Sequence, residues 1–226
     1  MDIALKNQHL TRQMDLIPIA VLGEQINVIG CGAIGGFTAL SLVKMGFCNL
    51  TLFDDDVVEI ENMSSQFFRF KDIGKNKAVA LADLIYEFTN VSVEVIPKRY
   101  EDGILPGIVI SAVDSMRVRT LIWNNHMGIS PATRMIIDPR MAAETALMYV
   151  MNPMDENDEV SYRKTLYTDE NAMPERCTGK ATVYTALSIS AMVCKAVKDI
   201  VTNGEYPRIL MWSIKENDFK SYRKVK

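Results

Sequence analysis

The sequence predicts an α/β fold with a mostly parallel sheet, helices on both faces and a C-terminal antiparallel extension. Three observations carry that expectation. The mostly apolar run Ile26-Asn27-Val28-Ile29 passes directly into Gly30-Cys31-Gly32-Ala33-Ile34-Gly35-Gly36, and a helical stretch and a second apolar run follow. Further apolar runs then alternate with segments of helical period, the pattern of parallel strands joined by crossover helices. Beyond residue 140 that alternation gives way to successive strand-like runs and one long helix.

Residues 7–24 carry Leu10, Met14, Ile17 and Leu22 at roughly helical spacing, with Pro18 interrupting, and are expected to be helical. Residues 26–29 make the first strand. The stretch 39–46 fits a helix closed by Gly46, and 49–53 a second strand ending at Asp54-Asp55-Asp56. Residues 57–68 have no clean period and are expected as a long loop or broken helix. Val79, Leu81, Ala82, Ile85 and Phe88 mark a helix over 78–88, while 91–96 alternates apolar and polar residues as a strand does, and Pro97 ends it. Residues 108–113 are a continuous apolar strand, Ser115 is placed to cap the following helix, and 135–137 is a short strand ending at Asp138-Pro139-Arg140. The extension then reads as a strand over 146–151, an acidic loop through Asp155, Glu156, Asp158 and Glu159, irregular residues over 160–180, the longest helix over 181–201 and a final strand over 206–214.

Composition narrows the class. The 226 residues suffice for one domain with a sizeable core, and 48% hydrophobic with 23% charged residues is the balance of a soluble globular chain. A net charge of −3 gives no basic footprint for nucleic acid. No apolar run has the length of a membrane span, and the N-terminus lacks the pattern of a secretory signal. Cys31, Cys48, Cys177 and Cys194 are scattered and never paired as C-x-x-C, which argues against structural zinc and a disulfide framework and favours a reducing compartment. The expectation is a cytoplasmic protein with neither membrane nor nucleic acid as partner. Cys31, Cys48 and Cys194 are expected as packed residues, and His9 and His126 are too isolated for a metal site.

Strand, glycine turn, helix, second strand and terminal carboxylate fall within about thirty residues, the dinucleotide-binding unit of Rossmann-like folds. Gly30, Gly32 and Gly35 hold the G-x-G-x-x-G spacing. That spacing lets backbone approach a phosphate, while the helix N-terminus supplies amides and partial positive charge. Asp54 stands nineteen residues after Gly35, where a carboxylate can bond ribose hydroxyls. These residues alone suit NAD as well as ATP, so an NAD-dependent oxidoreductase stays open. Lys77 in the first turn of its helix opposes the helix dipole, and Asp114 ends a strand at the edge where open α/β sheets bind ligands. Both are candidate functional residues.

Asp54-x-Asp56-x-Val58 followed by Asn62 and Gln66, then Ile73-Gly74-Lys75-x-Lys77-Ala78, then strand-terminal Asp114, resembles the ThiF/MoeB/HesA superfamily, the adenylation fold shared with ubiquitin-activating enzymes. Arg12-Gln13 ahead of the first strand is similar to the family's Arg-Gln motif, and Cys177-Thr178-Gly179 before the long helix is similar to its later cysteine segment. The resemblance implies one ThiF-type adenylation domain over 1–226, with an N-terminal helical segment (1–24), a nucleotide-binding core (25–140) and an antiparallel extension, loop and closing helix (141–226). It implies an adenylyltransferase using ATP and Mg²⁺ on the C-terminal carboxylate of a small ubiquitin-like or sulfur-carrier protein, working as a homodimer. By the same resemblance Gly30, Gly32 and Gly35 admit the nucleotide, Asp54 binds the ribose, and Asn62 and Lys77 contact phosphates. Asp56 and Gln66 join the nucleotide site, and Asp114 holds Mg²⁺ directly or through water. Arg12 would reach the triphosphate of a neighbouring subunit, and Cys177, flanked by Arg176 and Lys180, is a candidate for covalent linkage to the carrier.

One departure qualifies these roles. Active members of the family carry Asn-Leu-x-Arg-Gln, whose arginine contacts the triphosphate; here Asn62-Met63-Ser64-Ser65-Gln66 puts Ser65 at that place, as in the non-catalytic half of the larger eukaryotic activating enzymes. Serine brings no positive charge, so another cation substitutes or turnover is weak or absent. Arg69, Lys75, Arg117, Arg119 and Arg140 are the candidates, with Arg140, beside Asp138, preferred. A catalytically weak nucleotide-binding or scaffold subunit that supplies Arg12 to a partner is the alternative.

Overall fold

The computed structural model describes residues 8–167 and 182–223. Its strands are β1 (Ile26–Ile29), β2 (Leu50–Phe53), β3 (Glu94–Ile96), β4 (Gly107–Ser111), β5 (Thr133–Ala142), β6 (Thr145–Met151), β7 (Pro207–Ser213) and β8 (Asp218–Arg223). They form one sheet in the order β3-β2-β1-β4-β5-β6-β7-β8. Neighbours from β3 to β5 pair in parallel, and those from β5 to β8 pair antiparallel. The helices are α1 (Ala33–Lys44), α2 (Lys77–Thr89), α3 (Met116–His126), α4 (Glu156–Arg163) and α5 (Val183–Thr202). The expected α/β architecture, a parallel core with an antiparallel extension, is thus present.

Register sorts the core into two layers. Val28 pairs with Leu52 and Ile110, Ile110 with Ile137, and Ile137 with Val150, and all five lie in the cluster covered by α1, α2 and α5. One residue along, Ile29 pairs with Phe53, Val109 with Ile136 and Ile136 with Met151, and these meet Val118, Ile122 and Trp123 of α3 and Tyr162 of α4. Successive strand residues point to opposite faces, so a strand covered on both faces must be apolar throughout. Asn27 is the exception inside β1, and its buried amide donates to the Pro106 carbonyl at 2.8 Å.

The structure corrects several sequence expectations. Residues 8–24 form only the short 3₁₀ turns Gln8–Leu10 and Ile19–Val21, because Pro18 has no N–H and holds an extended conformation ahead of the second turn. Buried Leu10 and Ile17 fix this segment, and Gln13 donates to the Lys44 carbonyl at the C-terminal end of α1. β5 does not end at Asp138 but continues through Pro139 and Arg140 to Ala142 as the partner of β6. Its pairing with β4 stops at Ile137, so Pro139 sits where it has no second neighbour to which it would donate. The acidic stretch expected as a loop is α4, capped by Asp155, whose carboxylate accepts from the Asn157 amide at 2.9 Å. Glu156, Asp158 and Glu159 occupy its first turn, where negative charge meets the positive end of the helix. β8 adds a strand that the sequence pattern did not announce. Cys31 and Cys194 are buried as expected, but Cys48 is exposed in the connection after α1.

α3 is tied to the loop preceding β4 by His126, which is fully buried. Its Nδ1 donates to the Ile122 carbonyl at 2.7 Å and its Nε2 accepts from the Leu105 amide at 3.1 Å, so the ring is neutral with its proton on Nδ1. Burial lowers its pKa from the ordinary value. Among the described residues, no helix is long and apolar enough to cross a membrane.

Candidate functional site

The site begins at the glycine turn between β1 and α1. Gly30 has φ +92°, and a Cβ there would stand 2.5 Å from the Ala112 carbonyl oxygen, so the missing side chain lets the ends of β1 and β4 touch. A Cβ on Gly35 would fall 1.9 Å from the Gly30 carbonyl oxygen, so this glycine is required by the packing of α1 on its own turn. Gly32 differs, since a Cβ there would meet only the Gln66 amide, at 3.9 Å. The chain does not need that space for itself. Gly32 caps α1 without a side-chain bond and the first turn carries no acidic residue, so the opening amides of α1 are left to an outside acceptor. Cys31 is no nucleophile here, because burial, with the Asp54 charge added, pushes its thiol well above the usual range.

The carboxyl end of β2 closes one side of the turn. Asp54 accepts from the Cys31 amide at 2.6 Å through one carboxylate oxygen and from the Asp56 amide at 2.8 Å through the other. Burial raises its pKa from the ordinary value, opposed by those two amides and by Lys77. Lys77, the first residue of α2, pairs with Asp56 at 2.9 Å and is mostly buried, while its amide donates to the Asp56 carbonyl. Asn76 fastens the group: its Oδ1 caps α2 at the Val79 amide, and its Nδ2 donates to the carbonyls of Asp54 and Asp56 at 2.8 and 3.1 Å. Asp55 forms an ion pair with Arg99 at 3.0 Å. Asp54, Asp55 and Asp56 each bring a carboxylate oxygen within 4.8 Å of the others.

The broken helix expected over 57–68 is the 3₁₀ helix Ile60–Ser64. Asn62 serves its own capping box, its Oδ1 accepting from the Glu59 amide at 2.9 Å. Ser65 is buried just after it, and Gln66 follows with its Oε1 buried and unpartnered beside Gly32. On the opposite side, Asp114 follows β4 and is exposed, with no ion pair on its carboxylate among the described residues. The structure therefore brings Gly30, Gly32, Gly35, Asp54, Asp56, Gln66 and Lys77 around one turn, with Asp114 on the adjoining strand end.

The cations proposed to stand in for the missing arginine are mostly engaged. Arg69 grips Asp72 with two nitrogens at 2.7 and 2.9 Å and also pairs with Glu87, and Lys75 pairs with Asp72 and Asp83. Arg140 bonds Asp138 at 2.7 Å, the carbonyl and hydroxyl of Thr165 at 3.1 Å, and lies over the rings of Tyr149 and Tyr162 at 4.8 and 5.6 Å. Arg119 bonds the other Asp138 oxygen at 2.9 Å and donates to the carbonyls of Val113 and Asp114. Tyr162 completes the group, its hydroxyl 2.7 Å from Asp138; burial and the Asp138 charge push that hydroxyl well above its usual range, so it stays a donor. Of the five candidates, only Arg117 is exposed without an ion pair among the described residues.

Arg12 is exposed, and its neighbour Gln13 bonds the Lys44 carbonyl at the end of α1 away from the turn. The 12 residues of α1 put about 18 Å between the two ends. Cys177, Arg176 and Lys180 lie outside the described residues. Asn76 and Asp138 were missed as organising residues. Asn76 could have been found as a helix-capping residue directly before Lys77. Asp138 was hidden because a polar residue at the end of an apolar run suggests a terminus, not a buried hub.

The ThiF family profile matches residues 20–226. The chain is 35% identical over 106 residues to the NEDD8-activating enzyme E1 catalytic subunit of Arabidopsis thaliana, covering 43% of this chain and 23% of that protein. It is 33% identical over 114 residues to ubiquitin-like modifier-activating enzyme 5 of Dictyostelium discoideum, covering 42% of this chain and 30% of that protein. The chain thus spans less than a third of the length of either relative. Its fold matches a crystal structure of E. coli MccB with ATP at TM-score 0.71 and 16% identity, covering 96% of this chain and 71% of the other. It matches PaaA at TM-score 0.72 and 16% identity, covering 99% and 84%. A family profile that runs from within the second 3₁₀ turn, at residue 20, through the last strand establishes that this chain belongs to the ThiF family.

Proposed function

We propose that the chain is an adenylyltransferase that binds ATP on the glycine turn and activates the C-terminal carboxylate of a small ubiquitin-like or sulfur-carrier protein. The observation that carries this reading is the unused space at Gly32 between the open amides of α1 and the orphaned Gln66 acceptor. The names of the two sequence relatives support the substrate class. In this reading Asp54 accepts ribose hydroxyls through its remaining lone pairs, and the α1 amides and Lys77 hold phosphate oxygens. Lys77 exchanges Asp56 for the triphosphate, and Asn62 turns its amide toward the same group. Asp114 offers the hard oxygen donor that suits Mg²⁺, which when bound would neutralise phosphate charge. The carrier's carboxylate oxygen bonds to the α-phosphorus as the bond to the bridging oxygen breaks and pyrophosphate leaves; no proton needs to move. The protein's contribution is alignment and charge neutralisation. Arg12 lies too far from its own turn to take part there, so its role requires a second copy, in a homodimer.

Ser65 favours a second reading, a subunit that binds ATP without turning it over. ATP–pyrophosphate exchange with carriers ending in Gly-Gly separates the two. Exchange is expected, falling about 100-fold or more in Lys77→Ala and Asp114→Ala. Tight ATP binding without exchange establishes the second reading, and exchange unaffected by both substitutions refutes the assigned site.

A further inference from the structure

We infer that the buried Asp138–Arg119 pair is a positioning device that fixes the backbone carrying Asp114 for cation binding. The inference rests on the nucleotide reading above and deepens it. Asp138 is fully buried on β5, and Arg119 is nearly so on α3. Arg119 is held at 2.9 Å by Asp138 and spends its other two nitrogens on the carbonyls of Val113 and Asp114. A planar guanidinium can meet a carboxylate and two carbonyls at once because its donors are fixed in a fork. Gly30 also packs against the start of this turn, where a Cβ would fall 2.5 Å from the Ala112 carbonyl oxygen and 3.2 Å from the Val113 nitrogen. The Asp114 loop is therefore clamped between the glycine turn and a buried arginine. The second oxygen of Asp138 takes Arg140 and Tyr162, and Arg140 continues to Thr165, just past α4. The sheet edge that presents Asp114 and the chain leaving α4 share one buried carboxylate. A carboxylate that anchors the support of a metal-binding residue, without touching the ion, is a common way of setting affinity.

Arg119→Lys tests the clamp. Lysine keeps a charge opposite Asp138, so the core stays balanced, but it cannot also hold both carbonyls. Two readouts apply. In amide hydrogen exchange of the ligand-free protein, protection of the amides flanking the turn, Ala112 on the Ile29 carbonyl and Val118 on the Ser115 hydroxyl, is expected to fall in Arg119→Lys while the rest of the sheet stays protected. In calorimetric titration with ATP, with and without Mg²⁺, the gain in affinity caused by Mg²⁺ is expected to drop about tenfold or more, with Mg²⁺-free ATP binding kept. Tyr162→Phe removes a bond to the same carboxylate on its other arm and is expected to lower Tm yet keep the Mg²⁺ gain. Unchanged exchange protection, or an Mg²⁺ gain lost equally in Tyr162→Phe, overturns the inference. Failure of the unsubstituted protein to bind ATP at all overturns the nucleotide reading instead, and the hydrogen-exchange result then decides the clamp.

Discussion

Alanine at Gly35, Gly32 and Gly36 separates what the turn needs for folding from what it keeps for a ligand. A Cβ at Gly35 would fall 1.9 Å from the Gly30 carbonyl oxygen and 3.3 Å from Val28 Cγ1. The obstacle is backbone at the end of a buried strand, so relief requires α1 to move by more than an ångström relative to β1. Overpacking of a tight core costs about 1–3 kcal/mol and more where the neighbour cannot yield. Alanine's better helix propensity returns about 1 kcal/mol. The net expectation is a loss of about 2 kcal/mol or more, or about 4–8 °C in Tm for a domain of this size. At Gly36 the added Cβ would lie 3.6 Å from the Cys31 carbonyl oxygen, an ordinary contact, so Gly36→Ala should stabilise by up to about 1 kcal/mol. At Gly32 only the Gln66 amide is near, at 3.9 Å, so Gly32→Ala should change stability by less than about 1 kcal/mol and yet weaken ATP binding. Urea unfolding of the three variants, with ATP titration of those that fold, reads the series. Equal stability losses at Gly35 and Gly36, or full ATP affinity in Gly32→Ala, would refute the steric reasoning.

The remaining predictions concern buried charge. His126 is held neutral by burial, which outweighs the opposing pull of its bond to the Ile122 carbonyl, so its pKa is lowered in the folded state. Its stabilising effect is therefore complete above the ordinary value of 6.5 and is lost as pH falls below it, until the folded pKa is reached. Tm measured from pH 8 to pH 5 should fall in that lower window for the native chain and fall less in His126→Gln. Asp72 is fully buried, which works against its charge, but hydrogen bonds from Arg69 and the charges of Arg69 and Lys75 outweigh that and lower its pKa. Its contribution is present above the ordinary value of 3.8 and disappears as pH falls through the lower folded value. Asp72→Asn should cost about 3 kcal/mol at neutral pH, because Arg69 loses its main partner; a loss under about 1 kcal/mol in chemical denaturation would show the pair to be superficial.

The parallel half of the fold was legible because its strands are short, apolar and separated by helices of clear period. The 26–29 strand and the Ser115-capped start of α3 needed no tertiary information. The N-terminal segment misled because Leu10, Met14, Ile17 and Leu22 mimic a helical stripe, whereas only Leu10 and Ile17 are buried, one at each end of an irregular path. α4 was hidden by its polarity: eight residues that bury only Asp158 and Tyr162 leave little periodic signal. The candidate site was legible where function depends on chain order, as in the glycine spacing and Asp54. It was illegible where roles depend on partners far apart in sequence. Arg140 next to Asp138 suggested a free cation, and the two are in fact bonded to each other and to Thr165 and Tyr162.

Asn76 illustrates a thermodynamic consequence of this wiring. One amide side chain joins the start of α2 to the backbone of Asp54 and Asp56. Asp54 and Lys77, to which the proposed function gives the ribose and the phosphates, consequently cannot wander independently before a ligand arrives. The entropy of arranging them is surrendered during folding, so a nucleotide bound as proposed would have less disorder to remove and would retain more of its contact energy as affinity.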